Sequence, residues 1–292
     1  MSFFDSLHPA VSLIFFLGVI FCAAFFINPV ITLSALLGGL IFLCILKGRR
    51  AFFKDFVFIL ILILFSAALN PLFSAEGSTV ILILFGRPYT LESLLYGIQA
   101  GAMIGAVLCW FKCLSECFGS EKYLYLFSKA LPKFSLILTI VFRYIPLIKE
   151  HIGKLRKAQK ALGVKDNSLK NKLTLSMRIF GSAVVYSLES AVETGNSMKA
   201  RGFGAANRTS YSLFRFSLRD AVFSGVFFGL AIFSAMGFAF KGIEFEYYPN
   251  LGGISADTLS VFSYLSFFVL CLMPAICEIK ENLKWRYLRL RV

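Results

Sequence analysis

Six runs of apolar residues recur along the chain, at about 10–27, 29–46, 56–70, 91–111, 220–240 and 258–277. Each is near the roughly 20 residues that a helix needs to cross a bilayer. Between the fourth and fifth runs the pattern changes. The stretch from Phe134 to Ile148 is apolar, but it is short and contains Arg143 and Pro146. Apolar positions then recur at helical steps. Ile137, Val141, Tyr144, Ile148, Ile152, Leu155 and Leu162 make one stripe, with Lys149, Lys154, Arg156, Lys157 and Lys160 on the polar faces. Leu173, Met177, Phe180, Val184, Leu188, Ala191, Gly195 and Met198 make a second, on a helix of roughly 26 residues or about 40 Å. The pattern predicts an all-α polytopic membrane protein with about six transmembrane helices. Two long amphipathic cytoplasmic helices, joined near Gly163 to Asn167, form a hairpin or a crossing pair, and Pro146 kinks or restarts the first.

Composition agrees: 58% of residues are hydrophobic and mean hydropathy is +0.77, more apolar surface than one water-soluble core hides. The net charge of +14 decides orientation instead of pointing to nucleic acid. If the six runs alternate across the membrane from an inside N-terminus, 28 of the 30 Lys and Arg face the cytoplasm, leaving only Arg87 and Lys241 outside. Residues 134–148 are therefore not a crossing, because a span there would export the lysines and arginines that follow. The expected arrangement is a cell-membrane protein with both termini cytoplasmic. It divides into residues 1–111 with four spans, 112–219 as a module of cytoplasmic helices, and 220–292 with two spans and a basic tail. Met1 to Pro9 carries no Lys or Arg and shows no cleavage site, so no signal peptide is expected.

Local features refine this picture. Gly97, Gly101 and Gly105 make a smooth helix face that admits close approach of another helix, from this chain or from another subunit. Thr90 is placed to cap that helix, and Glu92 in its first turn favours the dipole without any catalytic role. Val80 to Phe85, followed by Gly86-Arg87-Pro88, reads as an external hairpin or a short re-entrant piece. Cys109, Cys113 and Cys117 share a helical face, which suits a packed surface as well as a soft metal, and no His accompanies them. Glu189 and Glu193 read as ion-pair partners for Arg143, Arg178 and nearby lysines. No catalytic constellation and no glycine-rich phosphate loop followed by Lys-Ser or Lys-Thr is visible. No metal, cofactor or nucleic acid is expected, and ATP hydrolysis by this chain through a phosphate loop is excluded.

The two amphipathic helices end alike, in Lys160-Ala161-Leu162-Gly163 and Lys199-Ala200-Arg201-Gly202, 39 residues apart. A Gly at the boundary stops a helix in the left-handed conformation, and a base beside it favours the negative dipole end. An Arg at such a tip also offers a planar five-donor group to a partner. Ser197 to Gly204, followed by Asn207-Arg208-Thr209-Ser210-Tyr211, resembles the second Ala-Arg-Gly signature of the transmembrane coupling components of energy-coupling-factor transporters, the family related to the cobalt-transporter permease. Leu131-Pro132 and Gln159 also agree, and the resemblance covers nearly the whole chain in layout. It departs at Leu162, where the family has Arg, with Lys160 or Lys165 as candidate substitutes for the charge. The resemblance implies two cytoplasmic ABC ATPases docked on the two tips and a small membrane substrate-binding subunit, for vitamin or metal-ion uptake, on the apolar faces. Ile137, Val141, Tyr144, Ile148, Phe180, Val184 and Leu188 are the candidate contacts for that subunit.

Overall fold

A computed structural model describes residues 3–73, 77–84, 87–163, 169–204, 214, 216–239, 245–248, 252–253 and 257–289. Among these lie nine α-helices: α1 (Pro9–Phe25), α2 (Pro29–Lys47), α3 (Arg49–Phe73), α4 (Leu91–Cys117), α5 (Ser120–Ala130), α6 (Pro132–Ala161), α7 (Leu169–Ala200), α8 (Leu218–Ala239) and α9 (Thr258–Arg289). Two strands, β1 (Val80–Leu84) and β2 (Arg87–Thr90), pair antiparallel with Leu84 opposite Arg87 and an irregularity between Val80 and Leu82. The expected hairpin is therefore present, while its Gly86 lies outside the described residues. Five helices, α2, α3, α4, α8 and α9, are long and apolar enough to cross a membrane. At 17 residues α1 is shorter, about 25 Å, which is still at the lower limit of spanning lengths.

The chain divides into two compact units, residues 1–123 with 214–292, and residues 124–213. In the first unit α4, α2, α9, α8 and α1 pack in that cyclic order, and α3 lies against α4. Inside this ring Phe15, Phe16, Phe42 and Trp110 are buried against one another. The Trp110 indole N–H donates to the Ala35 carbonyl at 2.9 Å. A Cβ on Gly39 would stand only 3.2 Å from that nitrogen, so glycine lets the ring lie flat on α2. Two buried amides join helices to one another, where lipid offers no alternative partner. Gln99 donates to Thr32 Oγ1 at 2.6 Å, and Asn28, which caps α2, donates to Tyr264 on α9 at 3.0 Å.

The glycine face of α4 meets α3 of the same chain, which decides between the two candidate partners. A Cβ on Gly97 would fall 2.9 Å from Ala67 Cα, and one on Gly101 2.8 Å from Ile63 Cα. These are backbone atoms, so a side chain there moves a whole helix. Gly101→Leu is expected to cost at least about 1–3 kcal/mol by overpacking. Gly18→Ala, where nothing lies within 4 Å, leaves the melting temperature in detergent the same or slightly higher, since Ala favours a helix interior. Equal melting of the two variants would show that the α3–α4 contact is not close-packed. Thr90 caps α4 by accepting from the Ser93 N–H. Glu92 is buried and ties the segment before the hairpin to α4, accepting from Thr79 Oγ1 at 2.9 Å and Ser78 Oγ at 3.1 Å.

Several elements exceed the sequence expectation. Helix α3 starts at Arg49, directly after Gly48 ends α2 at a φ of 76°. The basic tail continues α9 as helix to Arg289. Helix α5, short and amphipathic, has no counterpart in the apolar runs.

Candidate functional site: two exposed helix tips

The second unit is built on α6 and α7. Pro132 opens α6 at a position where its missing N–H is no loss. The helix then runs without a restart through Pro146 to Ala161. Helix α7 has 32 residues, longer than expected because it begins at Leu169, before the first residue of its apolar stripe.

The stripe itself is exposed. Met177, Phe180 and Leu188 are each more than 60% accessible, whereas the buried residues of α7 are Leu175, Ile179 and Ala183. At about 100° per residue these occupy nearly the opposite side of the helix. Helix α7 thus has two apolar faces, one of them covered. Sequence periodicity found the uncovered one, because its residues are larger and more numerous.

The two helices are held by hydroxyls and rings. Tyr144 Oη on α6 lies 3.1 Å from both the carbonyl oxygen and Oγ of Ser190 and also bonds the Thr194 hydroxyl. Its bonds to Ser190 and Thr194 hold the phenol below its ordinary pKa. The rings of His151 and Tyr186 stack 3.9 Å apart at 7°. The expected ion pairs are not made: among the described residues neither Glu189 nor Glu193 bridges to Arg143 or Arg178, and both carboxylates point to an exposed side. Small hydroxyls fill the contact instead. Among the described residues of this unit an ion pair forms along α6 instead, between Lys154 and Glu150 at 2.8 Å.

Beside this contact lies a groove of about 370 Å³ lined by Ile140, Val141, Tyr144, Ile148, Ser187, Ala191, Thr194, Gly195 and Met198. It gathers three of the seven candidate contact residues, Val141, Tyr144 and Ile148. Ile137, Phe180, Val184 and Leu188 are exposed on the same two helices but do not line it. Ser187, Ser190 and Thr194 were not anticipated, though their spacing of three and four places them on one helical face.

Both tips terminate as their glycines require. Gly163 has φ 76° and Gly202 φ 79°. At the second tip the Gly202 N–H bonds the Lys199 carbonyl at 3.0 Å and the Phe203 N–H bonds the Met198 carbonyl at 3.0 Å, the paired bonds of a Schellman stop. At the first, the Gly163 N–H bonds the Lys160 carbonyl at 3.1 Å. Lys160, Ala161, Leu162, Lys199, Ala200 and Arg201 are all exposed. Arg201 makes no ion pair among the described residues, and Leu162 is 76% accessible. Lys165 and the string from Asn207 to Tyr211 lie outside the described residues. Each tip is an exposed, glycine-stopped helix end, one bearing a guanidinium and the other an isobutyl group.

Among curated proteins, the chain is similar to the energy-coupling factor transporter transmembrane protein EcfT of Lactobacillus helveticus, 27% identical over 104 residues, which is 35% of this chain and 38% of that protein. It is also similar to the EcfT of Lacticaseibacillus paracasei, 30% identical over 94 residues, 31% of this chain and 36% of that one. In both alignments the chain spans little more than a third of the relative's length. A family described as cobalt transport protein, CbiQ, matches residues 2–211. The match takes in four of the apolar helices and both long amphipathic ones, and the chain belongs to the CbiQ family of transport proteins.

Proposed function

We propose that this chain is the transmembrane coupling subunit of an energy-coupling-factor importer, passing ATP-driven motion from two cytoplasmic ABC ATPases to a small membrane substrate-binding subunit for vitamin or metal-ion uptake. The observation that carries the reading is the pair of exposed, glycine-stopped tips at Lys160 to Gly163 and Lys199 to Gly202 on two long helices. A rigid helix end transmits displacement without bending, and an Arg on it engages carboxylates or carbonyls in fixed geometry.

In this reading residues 112–219 are the coupling module between two membrane parts, 1–111 and 220–292. The distribution of Lys and Arg supports a cytoplasmic position for both termini and both tips. The uncovered apolar faces, including the groove at Val141, Tyr144 and Ile148, receive the substrate-binding subunit. ATP is hydrolysed in the separate subunits, and substrate choice belongs to the binding subunit. The test is affinity purification of the tagged chain from gently solubilised membranes of its own host, with mass spectrometry of what accompanies it. Two ATPase chains with phosphate-loop sequences are expected. A chain that purifies alone while such ATPases are expressed would end this reading.

A further inference from the structure

The polypeptide passes between the two units twice, after Tyr123 and before Phe214. Close to the first crossing and six residues beyond the second stand buried charged residues, Lys122 at 6% and Asp220 at 3% accessibility. Although 98 residues apart in sequence, they hold the same short segment. Lys122 Nζ donates to the Phe4 carbonyl at 3.1 Å and to the Cys117 carbonyl at 2.6 Å. Asp220 Oδ1 accepts from the His8 N–H at 3.1 Å, while its Oδ2 accepts from the Ser217 N–H and Oγ at 2.9 Å and so completes a capping box at the start of α8. The segment between, Phe3 to His8, is itself anchored. Phe4 is fully buried with its ring against Phe15, Phe16 and Phe42, and the Phe3 N–H donates to Glu278 of α9 at 2.8 Å. Buried ions bonded in this way are strongly destabilising to break singly, because the partner groups are left unsatisfied.

We propose that Phe3 to His8 is a clasp, and that Lys122 and Asp220 are positioning residues fixing both crossings to one anchored segment. Fraying of α5 at the first crossing and of α8 at the second is then opposed by the same segment. The functional sense of the clasp rests on the coupling reading above, but its existence does not. It is therefore tested on the full-length chain alone, in nanodiscs, by hydrogen–deuterium exchange resolved at Phe118 and Lys122 on the first crossing and at Ser217 and Ala221 on the second. Lys122→Met is expected to speed exchange about 10-fold or more at Ala221 as well as at Lys122's own segment, with α2 and the middle of α4 unchanged. Asp220→Asn, which preserves shape and serves if the first variant does not fold, is expected to do the same in reverse, at Phe118 and Lys122. A purely local role would deprotect only the mutated crossing. That result, or no deprotection at either crossing, overturns the proposal, whatever ATPases the chain binds.

Discussion

Arg201→Glu is expected to abolish recovery of ATPase subunits with the tagged chain, a loss of at least about 30-fold in affinity, while the protein still inserts and folds. The magnitude follows from what a docked tip does. An Arg buried against carboxylates or carbonyls in an interface is among the costliest groups to remove, and reversing its sign adds repulsion to an unpaired partner. Folding is untouched because the side chain is exposed and makes no ion pair among the described residues, and because the stop at this tip is built from backbone bonds to Met198 and Lys199. Arg201→Lys falls between, keeping the charge but losing the planar fork. Leu162→Glu is expected to be milder, under about 10-fold, since an apolar tip contributes contact area without a charge pair. ATPase recovery that is normal with Arg201→Glu would remove the second tip as a docking point. A Leu162→Glu loss equal to that of Arg201→Glu would mean that the two tips dock equally despite their different chemistry.

The contrast between the tips shows what sequence does and does not encode. Local rules were legible: a Gly within three residues of a base at the end of an apolar stripe specifies a helix stop, and both stops are present. Spans were legible for the same kind of reason, since lipid permits only long apolar helices there. What depends on a tertiary partner was not. The Gly97 and Gly101 face announced a close neighbour without saying which, and only the fold identifies α3. Glu189 and Glu193 suggested ion pairs by charge and proximity in sequence, yet the contact is made by Tyr144 with Ser190 and Thr194, where short side chains let α6 and α7 approach. The clasp was invisible altogether. Nothing in the residue types of Phe3 to His8 shows that Lys122 and Asp220, remote in sequence, converge on them.

The two tryptophans separate packing from surface in one experiment. Trp110 is fully buried, with ring centroids of Phe15, Phe16 and Phe42 at 6.1, 6.2 and 6.3 Å, and its N–H is bonded to Ala35. Trp285 lies on the extension of α9 and is 44% accessible. In water, truncating a buried Trp to Ala costs about 3–5 kcal/mol through lost transfer energy and the cavity left behind. In lipid the transfer part shrinks, because the alternative surroundings are also apolar, but the cavity part survives, because a void has no atoms to attract. Trp110→Ala is therefore expected near the lower end, about 3 kcal/mol, which lowers the melting temperature in detergent by about 6–12 °C if unfolding is cooperative. Trp110→Phe should lose less, since it keeps most of the ring and forfeits mainly the bond to Ala35. Trp285→Ala should move the midpoint by no more than about 1 °C, as exposed positions do. Equal shifts for Trp110→Ala and Trp285→Ala would show that the aromatic centre of the helix ring is not what holds the membrane unit together. A large shift confined to Trp110 would place the stability of that unit in the packing of α1, α2 and α4 around one indole.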